Sequence, residues 1–202
     1  MNMSNLSYAL VGFLLVCVSV QAHFMSNLWP QKSFESAEYG PPKSEKRVLL
    51  AGTTSDFRDA VAQALVDSLV ADSAHVETGA FKHLNNRDPS EWGSIVVFNT
   101  CIGWDIENRA REFITSHPDY RGFVLFTTSG DPDSCCSSSK LPKGIDAVSS
   151  GSVEAKKPAV IDTILREVRA ILSGHVPASG ATDVQETDGD SGATSTEWDE
   201  DK

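Results

Sequence analysis

No charged side chain occurs in the first thirty residues, only four cysteines are spread through 202 positions, and Lys and Arg form no cluster. Each shortage excludes something. With 28 Asp+Glu against 17 Lys+Arg, for a formal charge of −11, the chain has no stripe with which to displace phosphate counterions, so nucleic-acid binding is excluded. Four cysteines in a chain of this length do not make a disulfide scaffold. There is no G-x-x-x-x-G-K-[ST], G-x-G-x-x-G, C-x-x-C or H-E-x-x-H, so nucleotide hydrolysis, ordinary dinucleotide binding, and thioredoxin or zinc-protease chemistry lack their groups. The five histidines (His23, His75, His83, His117, His175) show no metal-ligand spacing, and no Ser-His-Asp set can be assembled. No internal repeat is present.

The longest apolar run is also short. Tyr8 to Val20 is thirteen residues, below the roughly 20 that span a bilayer as a helix, so it is read as the core of a secretory signal. Val20 and Ala22 suit a cut after Ala22. The missing Lys or Arg ahead of the run leaves an uncleaved anchor as the alternative for residues 1–22. Residues 23–45, with Trp29-Pro30 and Gly40-Pro41-Pro42 and no period of two or 3.6, are expected to be a flexible arm. Residues 174–202 hold eight acids against Lys202, which puts −7 of the −11 in a segment with little to bury. A disordered acidic tail is expected there. Membrane contact is thus expected only through the N-terminal segment, and the rest of the chain in a secreted, periplasmic or otherwise exported compartment.

What remains, residues 46–173, has the size of one domain. Arg47 to Ala51, His75 to Thr78, Ser94 to Asn99, Gly122 to Thr127 and Ile145 to Val148 are read as strands. Between them run helical stripes: Phe57, Val61, Leu65 and Leu69, widened by Val66 and Val70; then Ile106, Ala110, Phe113 and Ile114, with Asp105 as the natural N-cap and Pro118 as a stop. A last helix opens at Pro158, carries Ile161, Ile164, Leu165, Val168, Ile171 and Leu172, and closes at Gly174. Unalternated strands interleaved with helices mean an α/β sandwich of three layers around a parallel sheet. Such sheets place ligands beyond the carboxyl ends of the strands, near the point where strand order reverses. The loops at Gly52 to Arg58, Thr100 to Asp105 and Thr128 to Lys140 are therefore the ones to inspect.

The stretch Trp92 to Gly130 resembles the flavodoxin-like family. It has a buried strand, then Asn99-Thr100-Cys101-Ile102-Gly103-Trp104, a helix with Arg111-Glu112-Phe113, and a strand ending Thr127-Thr128-Ser129-Gly130. The resemblance covers Arg47 to Leu172. It implies a five-stranded parallel sheet in the order 2-1-3-4-5, with flavin mononucleotide (FMN) at the switch point and electron transfer as the activity. In that family a Thr-x-Thr-Gly-x-Thr loop at the first helix N-terminus holds the flavin phosphate. The matching residues here are Thr53-Thr54-Ser55-Asp56-Phe57-Arg58, with the glycine replaced by Asp56 and the last threonine by Arg58.

By that likeness Thr53, Thr54, Ser55 and Arg58 take the phosphate, and Thr100 lies beside it. Trp104 stacks on the flavin, and Thr128, Ser129 and Gly130 meet the ring edge. Plainer roles stand beside these: a helix cap at Thr54, Ser55 or Asp56, a Trp104 packed over the sheet edge, and an ordinary turn after Thr128. In the implied sheet Cys101 and Cys135 leave neighbouring strands, which makes a disulfide between them geometrically reasonable, with unpaired thiols as the alternative. Asp56, Asp105, Asp131 and Asp133 raise a divalent-cation alternative, although Ala51-Gly52-Thr53 stands where a receiver-type acid would be. Any enzyme here would be at most an FMN-dependent oxidoreductase or carrier serving a redox partner protein. The rival function is a flavodoxin-fold domain that has lost FMN and binds a protein.

Overall fold

The computed structural model of the chain describes residues 32–83, 87–102, 105–129, 146–174 and 181–183. In chain order the elements are β1 (Ala37–Tyr39), β2 (Arg47–Gly52), α1 (Asp56–Ala71), β3 (His75–Gly79), β4 (Ser94–Ile102), β5 (Asp105–Ile106), α2 (Asn108–Thr115), β6 (Phe123–Ser129), β7 (Asp146–Gly151), α3 (Lys157–Leu172) and β8 (Ala181–Asp183). The five strands expected from the sequence lie side by side as β3-β2-β4-β6-β7, all parallel, which is the order 2-1-3-4-5.

Three short strands enlarge this sheet. β1 pairs antiparallel with β3, so part of the expected flexible arm is an edge strand. β8 pairs parallel with β7, so the segment expected to be a wholly disordered tail also contributes a strand. Both cover an edge whose N–H and C=O groups would otherwise lack partners, a need that three-residue segments do not advertise in their hydropathy. β5 folds back on the end of β4, pairing Cys101 with Ile106 and Ile102 with Asp105. That pairing overturns Asp105 as an N-cap: α2 begins at Asn108, and Glu107 holds the cap position without a side-chain cap bond. The predicted signal or anchor, residues 1–22, lies outside the described residues. Among those described, no helix is long and apolar enough to cross a membrane.

Alternate residues of β2, β4 and β6 feed opposite cores, which explains why these strands read as continuous apolar runs. Val48, Leu50, Val96, Phe98, Val124 and Phe126 pack against α1 and α3 through Val61, Leu65, Leu69, Val160, Ile164 and Val168. Leu49, Ala51, Ile95, Val97, Phe123 and Leu125 face Ala110, Phe113 and Ile114 of α2, with Trp92. Each such side chain taken from water is worth about 1.5–3 kcal/mol, so the two stripes hold the helices in place.

Among the described residues of the β3-to-β4 connection there is no α-helix; short 3₁₀ turns lie at Phe81–His83 and Pro89–Glu91. The uncovered end of that face is closed by charge. Buried Glu77 accepts from Arg47 Nη2 at 2.6 Å, Arg87 Nη1 at 2.8 Å and Trp92 Nε1 at 3.0 Å. The Arg87 guanidinium also stacks over Trp92, 4.2 Å from the ring centre. Burial pushes the Glu77 carboxyl up, but the bonds from Arg87, Arg47 and Trp92 outweigh it and hold the group below the usual glutamate range.

A carboxyl whose folded pKa is depressed stabilises the fold above its unfolded value, and that contribution is lost as pH falls through the folded value. Glu77→Gln should therefore cost about 2 kcal/mol at neutral pH, because half-exposed Arg47 and Arg87 recover some hydration. The gap to wild type should close below the usual glutamate pKa. Urea unfolding at pH 7 and pH 3 checks both statements.

Candidate functional site

Three strand ends converge because of their register. Gly52 of β2 stands beside Phe98, and Asn99 and Thr100 of β4 stand beside Thr127 and Thr128 of β6. Gly52 has φ +141 and leads the chain out of the sheet; the Thr53 N–H donates to the Phe98 carbonyl at 3.3 Å. Hydroxyls of Thr53 and Thr100 then meet at 3.1 Å. Next, Ser55 caps α1 and accepts from the Arg58 N–H at 3.4 Å, which settles the cap among the three residues considered.

Arg58, third residue of α1, turns its side chain into the convergence and is only 4% exposed. Its Nη1 donates to Thr100 Oγ1 and to Thr128 Oγ1, the latter at 3.4 Å, and its Nη2 donates to the Thr54 carbonyl at 3.0 Å. One guanidinium thus ties together the exits of β2, β4 and β6. All three acceptors are neutral, and its Nε is buried without a hydrogen-bond partner. Burial pushes the Arg58 pKa down, with the fields of Glu107 and Asp59 opposing. The group stays charged at neutral pH. A buried cation in the first turn of a helix also opposes the helix dipole, which favours negative charge there.

Glu107 precedes α2 on the other chain segment that meets the end of β4. Its N–H donates to Asn99 Oδ1 at 2.9 Å, and the Asn99 amide in turn donates to Thr127 Oγ1 at 3.1 Å. Glu107 Oε2 is buried without a partner. Burial pushes its carboxyl above the usual glutamate range, against the pull of Arg109 and Arg58. Next to Arg58 in α1, Asp59 accepts from Thr54 Oγ1, and burial together with Asp56 raises its carboxyl.

The backbone of the loop departs from what the resemblance implies. With Asp56 in the glycine position, none of Thr53, Thr54 and Ser55 has a positive φ, so their N–H groups are not turned into a common nest. Two of them are already committed: Thr53 to Phe98, and Thr54 to the Lys32 carbonyl at 2.8 Å. Lys32 belongs to a strap. Ser33 bridges Thr53, the Phe34 N–H donates to the Gly52 carbonyl at 3.2 Å, and the Phe34 ring meets Phe98 edge-on at 4.9 Å. The arm residues were missed in the sequence because a lone bridge leaves no periodic trace, and Glu107 because its importance comes only from the β5 turn.

Of the residues singled out in the sequence, Thr53, Thr54, Ser55, Arg58, Thr100 and Thr128 come together, and Ser129 follows them at the end of β6, its carbonyl accepting from Ser152 at 3.1 Å. Trp104, Gly130 and Cys135 lie outside the described residues. Cys101 is disulfide-bonded. Among the described residues no group of three or more His, Cys, Asp and Glu is placed to hold a metal.

The fold is flavodoxin-like: a parallel sheet of order 2-1-3-4-5 between helical layers, with its loops gathered at the switch point. No family model matches the chain, and no curated protein matches it. Among solved structures it is similar to a flavodiiron core from Synechocystis sp. PCC6803, at 8% identity and TM-score 0.47, covering 66% of this chain and 38% of that one. It is also similar to a flavodoxin from the domain Archaea, at 12% identity and TM-score 0.44, covering 62% of this chain and 98% of that one. A mutant flavodoxin from Pseudomonas aeruginosa has 13% identity and TM-score 0.44, covering 64% of this chain and 99% of that one.

Proposed function

We propose that this domain binds flavin mononucleotide at the carboxyl edge of its sheet and serves as an electron carrier, with the phosphate held by side chains instead of by a backbone nest. The observation that carries the reading is Arg58: a buried guanidinium with an unpartnered Nε and only neutral acceptors. Burying a charge without a counter-charge is expensive, and a phosphate monoester is the ligand that removes the expense. The hydroxyls of Thr53, Thr54, Thr100 and Thr128 around it, with the dipole of α1, suit the same group. When bound, the flavin supplies one- and two-electron transfer; the chain orients it and sets the charge around it. Trp104, Ser129 and Gly130 are proposed to hold the ring.

The compartment belongs to the same proposal. The apolar segment within residues 1–22 and the disulfide at Cys101 both suit an exported protein, which would work with a redox partner there.

A second reading has its own support. The guanidinium already has three partners, and Lys32 has taken the Thr54 N–H. A domain that had exchanged its cofactor for this internal closure would be a protein-binding module on a retained fold. Titrating FMN with the purified protein separates the two. Flavin fluorescence should be quenched to saturation, with the dissociation constant rising as inorganic phosphate is added. Unchanged fluorescence at high micromolar protein would leave the binding-module reading standing.

A further inference from the structure

Every polar group of Thr54 is taken up inside the chain. Its N–H donates to the Lys32 carbonyl at 2.8 Å, its carbonyl accepts from Arg58 Nη2 at 3.0 Å, and its hydroxyl donates to Asp59. Two of these contacts come from α1, close by in the chain; the third comes from the strap, Lys32 to Phe34, which is remote from it. The strap is fastened lightly. It has one isolated bridge from Ser33 to Thr53, the Phe34 N–H on the Gly52 carbonyl at 3.2 Å, and the Phe34 ring edge-on to Phe98. Lys32 is exposed, and Ser33 and Phe34 are only partly buried. Beyond it, exposed Glu35 and Ser36 lead into β1, which has its own ladder with β3, and the Thr78 hydroxyl donates to the Glu35 carbonyl at 2.8 Å. Lys32 to Phe34 can therefore lift while β1 stays paired. The Thr53 N–H has no such freedom, because its acceptor is Phe98 in the central strand.

We propose that the Lys32–Phe34 strap is an intramolecular competitor for the ligand: the Lys32 carbonyl occupies the Thr54 N–H in the free protein and gives it up when a phosphate monoester settles on Arg58. The inference rests on the reading that this site takes a phosphate. In the absence of ligand the strap spares the Thr54 N–H from being left without an acceptor. A carbonyl is a neutral acceptor, whereas a phosphate oxygen is charged and accepts a bond roughly twice as strong. The N–H also lies just ahead of the first turn of α1, where the helix dipole favours an anion over a neutral group. The exchange therefore runs toward the ligand once one is present. Because the ligand has to displace the strap, its apparent affinity is lowered by the fraction of molecules in which the strap is seated. Whatever loosens Lys32 to Phe34 tightens the binding of the phosphate.

The test uses the full chain with FMN and with inorganic phosphate. Phe34→Pro removes the N–H that bonds to Gly52 and the ring that meets Phe98, and leaves Lys32, Thr54 and Arg58 in place. In calorimetric titrations it should bind each ligand about tenfold more tightly than wild type. Amide hydrogen exchange in the wild type, followed by NMR, gives a second readout that decides the matter alone if the variant does not fold. Saturating FMN should speed exchange at the Phe34 amide about tenfold or more and leave the Thr54 amide protected. Equal or weaker binding by folded Phe34→Pro, or a Phe34 amide as well protected with FMN as without it, overturns the strap as competitor and leaves the phosphate site intact. Binding by Phe34→Pro where wild type shows none upholds it. If neither protein binds either ligand, the proposed function falls and the strap's role falls with it.

Discussion

Arg58→Met is expected to raise the melting temperature of the ligand-free protein and, in the same molecule, to weaken FMN binding at least thirtyfold. The two signs follow from one physical fact. Arg58 is buried among neutral acceptors, so the folded domain bears the desolvation of a cation with no bonded counter-ion. Replacing such a group by an apolar side chain of similar length is neutral or stabilising by about 1–4 kcal/mol, which for a domain of this size is a rise of several degrees. Removing one partner of a desolvated charge pair costs a complex about 2–5 kcal/mol, or roughly thirtyfold to several thousandfold in affinity. If the guanidinium served only to tie three loops together, its loss would instead lower the melting temperature. Arg58→Lys keeps the charge without the planar fork and should fall between the two in affinity. Differential scanning calorimetry with fluorescence titration of the three proteins reads both effects.

Gly52→Ala is expected to be the most destabilising small substitution near the site. Gly52 sits at φ +141, where L side chains are strained, and an added Cβ would lie 2.2 Å from the Phe98 carbonyl oxygen. That oxygen belongs to the central strand of the ladder and accepts from Thr53, so it has no room to retreat. Backbone strain and the forced shift together should cost about 3–5 kcal/mol, comparable with emptying a large core position. Because the strap and the loop both hang on this residue, through Phe34 on its carbonyl and Thr53 after it, FMN binding should fall with the fold. Urea unfolding gives the first number, and quenching at low temperature, where the variant stays folded, gives the second.

The parts of this architecture that could be read from sequence are those in which apolar burial sets the pattern. Continuous strands such as Val96 to Phe98 and Val124 to Phe126 are apolar because neighbouring residues enter different cores, and α1 shows its buried stripe directly in Phe57, Val61, Leu65 and Leu69. The convergence of the loops at Thr53, Thr100 and Thr128 follows from strand order, so it too was legible. What escaped is local and governed by hydrogen bonds. Ala37–Tyr39 and Ala181–Asp183 become strands because an open edge needs partners, and Asp105 becomes a strand residue because Ile102 is there to receive it. Arg58 stands out in the sequence as a departure from the family loop, but its burial against neutral oxygens belongs to the tertiary structure alone.

One comparison bears most directly on whether Arg58 waits for a phosphate: thermal unfolding of the wild-type protein with FMN and with riboflavin, which differ only in that group. A ligand bound at a hundred times its dissociation constant adds about 2.7 kcal/mol to the folded state. FMN should therefore move the transition upward by several degrees, while riboflavin at the same concentration should leave it nearly in place. An equal shift with both flavins, or none with either, would contradict the phosphate anchor.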